Sequence, residues 1–483
     1  MKKYFLTAIC LASLAFAQMS TPEYHFLDIR SALIPGNPAL LTVGEIPCDF
    51  VFSYLNDREG GDYRLPFTPE GKNYYGTSAT AYKAMANGAV FAGRFAYRYE
   101  RRINKLWLHN AENHLNIPLY FADSTSGDFE LNGIDWNILF SYPLGEHVRA
   151  GVDVFYNVDE QFKTVFPMPN IKRNDLNIRP AIAFLNERSQ LGITGSFFSY
   201  IEDMNTKKYV LEQGRTPVFL RIRGLDRPLV TRAETSEERL QNIRGYAAAL
   251  NFDLRGRLLF DSNIERSSAR VFDGGTERVP QGSWDMTRLY CRVDLRRDIT
   301  RTFGSGVFYR LYLNTAEAMH PTLGRRMYGY AERLFEAGLV LPYRSDAGES
   351  WTGSVSGSFA DMLFEDNFLG LLHYFPGYTL HMNMQYRYSR RDVTYSFEMG
   401  YDEDIGSHTD IIYDDLADWY YELITRREIA YYSQNLRQLH LSLSVRFPFR
   451  EQAVEVRGSY TGIIPKNSET RYRLSQLGVA YIF

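Results

Sequence analysis

The sequence has no apolar run long enough to cross a membrane as a helix. Such a helix needs about twenty consecutive apolar residues, and nothing after the first seventeen positions of the 483 approaches that. Cysteine is scarce, at three in all, so the chain is no disulfide scaffold. CxxC and HExxH are both missing, which removes the usual zinc signatures. A net charge of −3 is too mild to call for nucleic acid as a partner. Tryptophan is rare, at 5, beside 35 tyrosines and 32 phenylalanines. Mean hydropathy is negative, which a helical membrane protein would not show.

The first residues, MKKYFLTAICLASLAFAQ, have the parts of a secretory signal. Lys2 and Lys3 form the positive end, Tyr4 to Leu14 the apolar core, and Ala15-Phe16-Ala17 the small-x-small cleavage site, so residues 1–17 are expected to be removed. Ile9 stands where a lipoprotein signal needs a small residue, so Cys10 is not a lipid anchor. An exported chain without a spanning helix is either soluble or a closed barrel, because only helices and barrels satisfy every backbone hydrogen bond in lipid.

Alternation decides between them. In YTLHMNMQYRYS, residues 378–389, apolar and polar residues exchange without a slip. Leu380, Met382 and Met384 would then meet lipid, while His381, Asn383, Gln385 and Arg387 point into a lumen. GAVFAGRFAYRYE, IDWNILFSY and LHLSLSVRF follow the same rule, and about eighteen such runs occur. They start near residues 48, 73, 88, 130, 147, 177, 190, 243, 257, 284, 303, 326, 350, 378, 391, 436, 452 and 470. Short connections alternate with long ones, the longest around 203–241 and 402–435. Many runs reach the roughly nine to eleven residues of a tilted transmembrane strand, beyond the usual strand of a soluble sandwich.

The expected fold is therefore all-β, a transmembrane antiparallel up-and-down barrel of sixteen to eighteen strands, with long external loops carrying one or two short helices. It comprises residues 48–483, preceded by the signal (1–17) and an N-terminal periplasmic or plug segment (18–47). The closing RLSQLGVAYIF puts Tyr481 and Phe483 on one face. This resembles the C-terminal signal read by the barrel assembly machinery. The signal ending FAQ, the tyrosine-rich strands and the terminal Phe together resemble a family of outer-membrane β-barrel proteins of the Bacteroidota, which implies fold and location and brings no catalytic residues. Asn37-Pro38-Ala39 is similar to the N-terminal Asn-Pro-Ala of long-chain fatty-acid transporter barrels, whose N-terminal segment plugs the pore.

By alternation the lumen is lined by Arg94, Arg98, Arg288, Arg292, Asp294, Arg310, His381, Arg387, Glu398, His440 and Arg446. The two signs nearly balance, as in a polar pore that sets a transverse field for small solutes. His440-Leu441-Ser442 has the His-x-Ser spacing of outer-membrane phospholipases, but its alternation turns both groups away from lipid, where such an enzyme needs them. No enzyme, cofactor or metal is expected. Asp402, Glu403, Asp404, Asp410, Asp414, Asp415 and Asp418 make one loop acidic, without the order of a calcium loop. Within it Leu416, Trp419, Tyr420, Leu423 and Ile424 follow helical spacing, with Asp414 and Asp415 at the start and Arg426 and Arg427 at the end. This helix is expected to fold over the barrel mouth as a gate. A second short helix is expected at Thr235–Glu238 from its capping-box spacing, with the arginines of that loop pairing with the acidic loop. The expected function is passage of small solutes through an outer-membrane pore. The alternative is a non-conducting structural barrel that binds a surface or periplasmic protein.

Overall fold

The computed structural model describes residues 37–41, 50–108, 118–206, 218–223, 229–232, 238–254, 256–275, 277–345, 348–390, 392–407, 409–412, 421–449, 452–466 and 470–482. Its wall strands are β1 (Phe50–Gly61), β2 (Gly71–Ala84), β3 (Val90–Leu108), β4 (Leu119–Pro143), β5 (Val148–Lys163), β6 (Pro169–Asn186) and β7 (Ser189–Thr206). A small hairpin, β8 (Val218–Arg223) and β9 (Leu229–Arg232), interrupts the series. The wall resumes with β10 (Glu238–Leu254), β11 (Leu258–Asp273), β12 (Val279–Asp298), β13 (Gly304–Met319), β14 (Arg326–Arg344), β15 (Glu349–Asp366), β16 (Leu371–Arg390) and β17 (Val393–Ser407). After the short β18 (Asp410–Ile412) come β19 (Leu436–Phe449), β20 (Gln452–Pro465) and β21 (Tyr472–Ile482).

Each wall strand pairs antiparallel with the next wall strand in sequence, β7 with β10 across the hairpin and β17 with β19 across the short strand. β21 closes on β1, from Val51 opposite Ile482 to Gly61 opposite Tyr472. Leaving out β8, β9 and β18, the described strands make a closed wall of eighteen, the number of alternating runs in the sequence. One end carries short turns; two of them use Gly88 (φ 79°) and Gly256 (φ 67°), positions where a side chain would be strained. The long connections gather at the other, loop end.

Alternation sorts the side chains. Tyr378, Phe95, Trp136, Phe197, Tyr246, Leu339 and Leu443 stand outward and exposed, and together with similar residues on every side form an apolar belt. The next residue along each strand points inward. In the stretch 378–389, exposed Tyr378 is followed by buried Thr379, which bonds Asp404, and by His381, which bonds Asp402.

The sequence pattern places most strand starts within a few residues. It misses most on β4, β6 and β16, which begin at Leu119, Pro169 and Leu371 rather than near 130, 177 and 378. All the added length lies at the loop end. There the outward face turns polar: Arg333 pairs with Asp361 at 2.6 Å, and Tyr374 also donates to Asp361. Without lipid to face, these segments have no reason to alternate. The helix expected at Thr235–Glu238 is not formed at Glu238, which opens β10 opposite Asn205; the strand ladder takes its backbone groups instead. Thr235–Glu237 lie outside the described residues.

Candidate functional site

A barrel of about eighteen strands can enclose a water channel unless its interior is filled. Here the lumen has three levels. The middle is a network of paired charges. Arg98 and Arg173 share Asp159, and Arg179 pairs with Asp153. Nearer the mouth, Lys163, 1% exposed, is held by Asp123 at 2.7 Å and by Thr125, and Arg239 and Arg221 share Asp273, each at 2.7 Å. The inward charges are thus largely neutralised by neighbours on the wall.

The residues expected to line the lumen fall on this inward face. Arg94 lies opposite Thr80 and Asn137. Arg288 reaches Glu265 at 3.4 Å, Arg292 reaches Asp294 at 2.6 Å, and Arg310 reaches Glu336 at 3.0 Å. Glu398 faces Arg457 at 3.7 Å. Arg387 and Arg446 sit nearer the turn end, opposite Ser396 and Glu455 respectively. His440 bonds Thr461 at 2.9 Å, while Ser442 accepts from Arg457 at 2.9 Å. The His-x-Ser pair is therefore divided between two other partners. Of the arginines of the second long loop, Arg221 and Arg239 pair with Asp273 on β11, where β8 is bound to β4; most of the acidic loop lies outside the described residues.

Beside those mouth charges, the loop end carries an apolar cluster. Trp284, Met286, Tyr328, Tyr330, Phe364 and Phe375 form the heart of a buried cluster on the inner faces of β12, β14, β15 and β16. A helical segment lies against it: a wide turn at Tyr421–Thr425 running into α1 (Arg426–Tyr432). Ile424 is fully buried with Phe67, Ala122 and Leu220 on the β3–β4 side. Tyr432 packs on Phe364 and Phe375, with ring centroids 5.9 and 5.1 Å apart, on the β15–β16 side. Between them Tyr431 stacks on Tyr63 at 4.6 Å, and the Tyr63 hydroxyl donates to the Tyr431 carbonyl. The segment thus bridges nearly opposite sides of the mouth. Burial lifts the Tyr63 phenol well above its ordinary value and raises the Glu428 carboxyl to about 7.

The helix expected over 416–424 is described only from Tyr421, and the helical segment continues to Tyr432. Arg426 and Arg427 open α1 rather than close it, since the apolar contacts continue through Ile429 and Tyr432. Asp414, Asp415, Leu416, Asp418, Trp419 and Tyr420 lie outside the described residues, as does Phe483. Tyr481 faces outward beside Phe449, with ring centroids 6.1 Å apart.

The turn end holds Asn37 to Leu41. Pro38–Leu40 form a single 3-10 turn capped by the Asn37 side chain, which accepts from Ala39 N at 2.8 Å. Asn37 Nδ2 also donates to the Ile182 carbonyl at 3.3 Å. Ala39 and Leu40 pack on Ala183, and Leu41 packs among Tyr82, Val90 and Leu139. Two glycines make the room. A Cβ on Gly151 would stand 2.5 Å from Ala39 N, and one on Gly192 would stand 2.4 Å from Asn37 Nδ2.

Sequence reasoning missed one constellation. Ser358, His381 and Asp402 lie on the inner faces of three adjacent strands, β15, β16 and β17. Ser358 Oγ is 2.6 Å from His381 Nε2, and His381 Nδ1 is 2.9 Å from Asp402 Oδ1. Only alternation combined with strand register could have joined residues so far apart in sequence.

A closed up-and-down barrel with an apolar belt outside and paired charges inside belongs to the class of transmembrane β-barrels. Within that class, the chain belongs to the family of unknown function DUF6850, whose pattern it matches over residues 50–483. No curated protein matches it. Among solved structures it is similar to the FrpB iron transporter of Neisseria meningitidis, at 10% identity over 90% of this chain and 81% of that one, with a TM-score of 0.45. It is also similar to the siderophore receptor PiuA of Acinetobacter baumannii, at 8% identity over 90% and 82%, with a TM-score of 0.40. The CymD monoaromatic hydrocarbon channel matches at 10% identity over 95% and 93%, with a TM-score of 0.29. At such identities and scores no function passes from those proteins to this chain.

Proposed function

We propose that this chain is an outer-membrane transporter for small solutes, with a lumen closed at both ends in the state described. The bar of residues 421–432 across the mouth carries the reading. A purely structural barrel has no use for a helix laid over buried aromatic rings, whereas a gate needs a separate element that can leave its seat. The insert at 37–41 acts as the inner stop. When the bar moves, the paired charges of the middle level line the path and select among small polar or amphipathic solutes.

The outer-membrane location in this reading is supported by the apolar belt and by the export signal and C-terminal aromatic pattern expected from the sequence. Deleting Phe483 is expected to lower the outer-membrane level of the protein, and unchanged levels with normal heat-modifiable migration would remove that assignment. The function is tested in planar bilayers. The wild type should conduct rarely, and the same barrel with 421–432 replaced by a short Gly-Ser link should open steadily. If neither form conducts, the non-conducting, partner-binding barrel takes over.

A further inference from the structure

We propose that Ser358, His381 and Asp402 form a hydrolytic centre in the lumen that cleaves carboxylic esters bearing an apolar group. With its proton on Nδ1, His381 donates to Asp402 and leaves Nε2 as the acceptor for the Ser358 hydroxyl. That is the order of contacts an activated serine needs: a base within reach of the hydroxyl, and a carboxylate that holds the base in the right tautomer. The strand ladder sets the geometry. His381 lies directly opposite Asp402 on one side and opposite Ser356 on the other, so Ser358 meets it diagonally across the β15–β16 pair. Such a placement rests on rigid wall strands rather than on a loop.

Two features give the centre a substrate. The side chains of His381 and Asp402 keep 13% and 16% of their exposure, so the constellation is not sealed in the wall. On the loop side of it the wall is small: Ala360 lies opposite Gly377, and a Cβ on Gly377 would meet only the Gly406 carbonyl oxygen, at 3.9 Å. Beyond that space stand Met362, Phe364 and Phe375 of the apolar cluster, suited to an alkyl or aryl group.

The step balances with water alone. Ser358 Oγ attacks the ester carbonyl carbon as its proton passes to His381 Nε2. The ester C–O bond then breaks, and Nε2 returns the proton to the departing alcohol. Water, deprotonated by Nε2, attacks the acyl-serine. The acid leaves, and the proton returns to Ser358.

The test uses the full chain in detergent micelles, checked for folding by heat-modifiable migration. A fluorophosphonate probe is expected to label the peptide containing Ser358, and p-nitrophenyl butyrate is expected to be hydrolysed. Ser358→Ala and His381→Ala should abolish both. Asp402→Asn should slow hydrolysis by about 10²–10⁴-fold. Ser53→Ala, which removes a lumen serine bonded to Ser78 at 2.6 Å, should change neither. Folded protein with 421–432 replaced by the Gly-Ser link that still takes no label and hydrolyses no faster than Ser358→Ala in that background overturns the proposal. So does labelling that persists in Ser358→Ala. Conductance is read separately in bilayers, so failure here leaves the transport reading standing.

Discussion

At the loop end the lumen is stopped by rings, at the turn end by backbone and small side chains. Tyr432 meets Phe364 and Phe375, Tyr431 meets Tyr63, and Ile424 disappears among Phe67, Ala122 and Leu220. Each contact is broad and adaptable, and aromatic pairs add about 0.5–1.5 kcal/mol apiece beyond the area they bury. The inner stop instead has Ala39 and Asn37 set against Gly151 and Gly192 with no spare volume. A seat of stacked rings can be left and regained by a rotating segment. A seat cut to backbone width admits one fit. Under the proposed transport function, the outer closure is the movable one and the inner closure the fixed one.

The largest effect is expected from removing the outer closure. The Gly-Ser replacement of 421–432 should turn rare openings into a steady conducting level. Ile424→Ala should do part of this, weakening the docked bar by about 2–4 kcal/mol, read as a raised open fraction. An unchanged open fraction would mean that the bar does not gate.

The wall common to both ends comes next. Met384→Arg, on the lipid face, should cost about 2–4 kcal/mol of barrel stability near the bilayer midplane, while Asn383→Arg on the lumen face should be tolerated. Equal unfolding midpoints in detergent would break the facing on which both ends depend.

Gly151→Val should expel the inner insert, because its Cβ would meet the Ala39 backbone and not a side chain that can swing aside. Thiol labelling of Ala39→Cys should rise sharply in that background. Conductance should change little until the bar is also removed, which separates the two closures.

The smallest effect is a pH dependence of the outer closure. Burial raises the Glu428 carboxyl from 4.5 to about 7, so the docked bar holds a proton that the free segment releases. Docking is therefore tightest below the free value and weakens as pH rises through the window between the two. Openings should become more frequent from about pH 5 to pH 8, and Glu428→Gln should flatten that rise. An increase toward acid would reverse the sign and sink the idea.

The barrel was legible because lipid imposes a period of two on every strand it touches, and strands such as β16 and β19 carry that period through their apolar residues. Where lipid ends, so does the signal. Leu119 to Phe129 of β4 alternates poorly because both of its faces are covered: Leu119, Phe121 and Ala122 are all buried, and β8 pairs along this stretch. The candidate site was half legible. Alternation turned His381 and His440 inward, but choosing between them required register. Chain neighbours His440 and Ser442 are drawn apart by Thr461 and Arg457, while Ser358, His381 and Asp402 are assembled across three strands.

The seam between β1 and β21 bears on how the barrel is made. Every other wall pairing joins strands that follow one another along the wall, so it closes a comparatively short loop of chain. The seam joins Gln476 to Asp57 across 419 residues. Loop-closure entropy grows only as the logarithm of length, so the seam is not prohibitive, but nothing local can start it and it should form late. Asn37 to Leu41 precede β1 in the chain yet dock on β4 to β7, strands synthesised after them. The N-terminal segment must wait for that part of the wall and be inside when the seam shuts. Late closure thus traps the inner stop kinetically, and a chain permuted to begin at β2, with β1 appended after β21, should build the same wall without the inner stop in place.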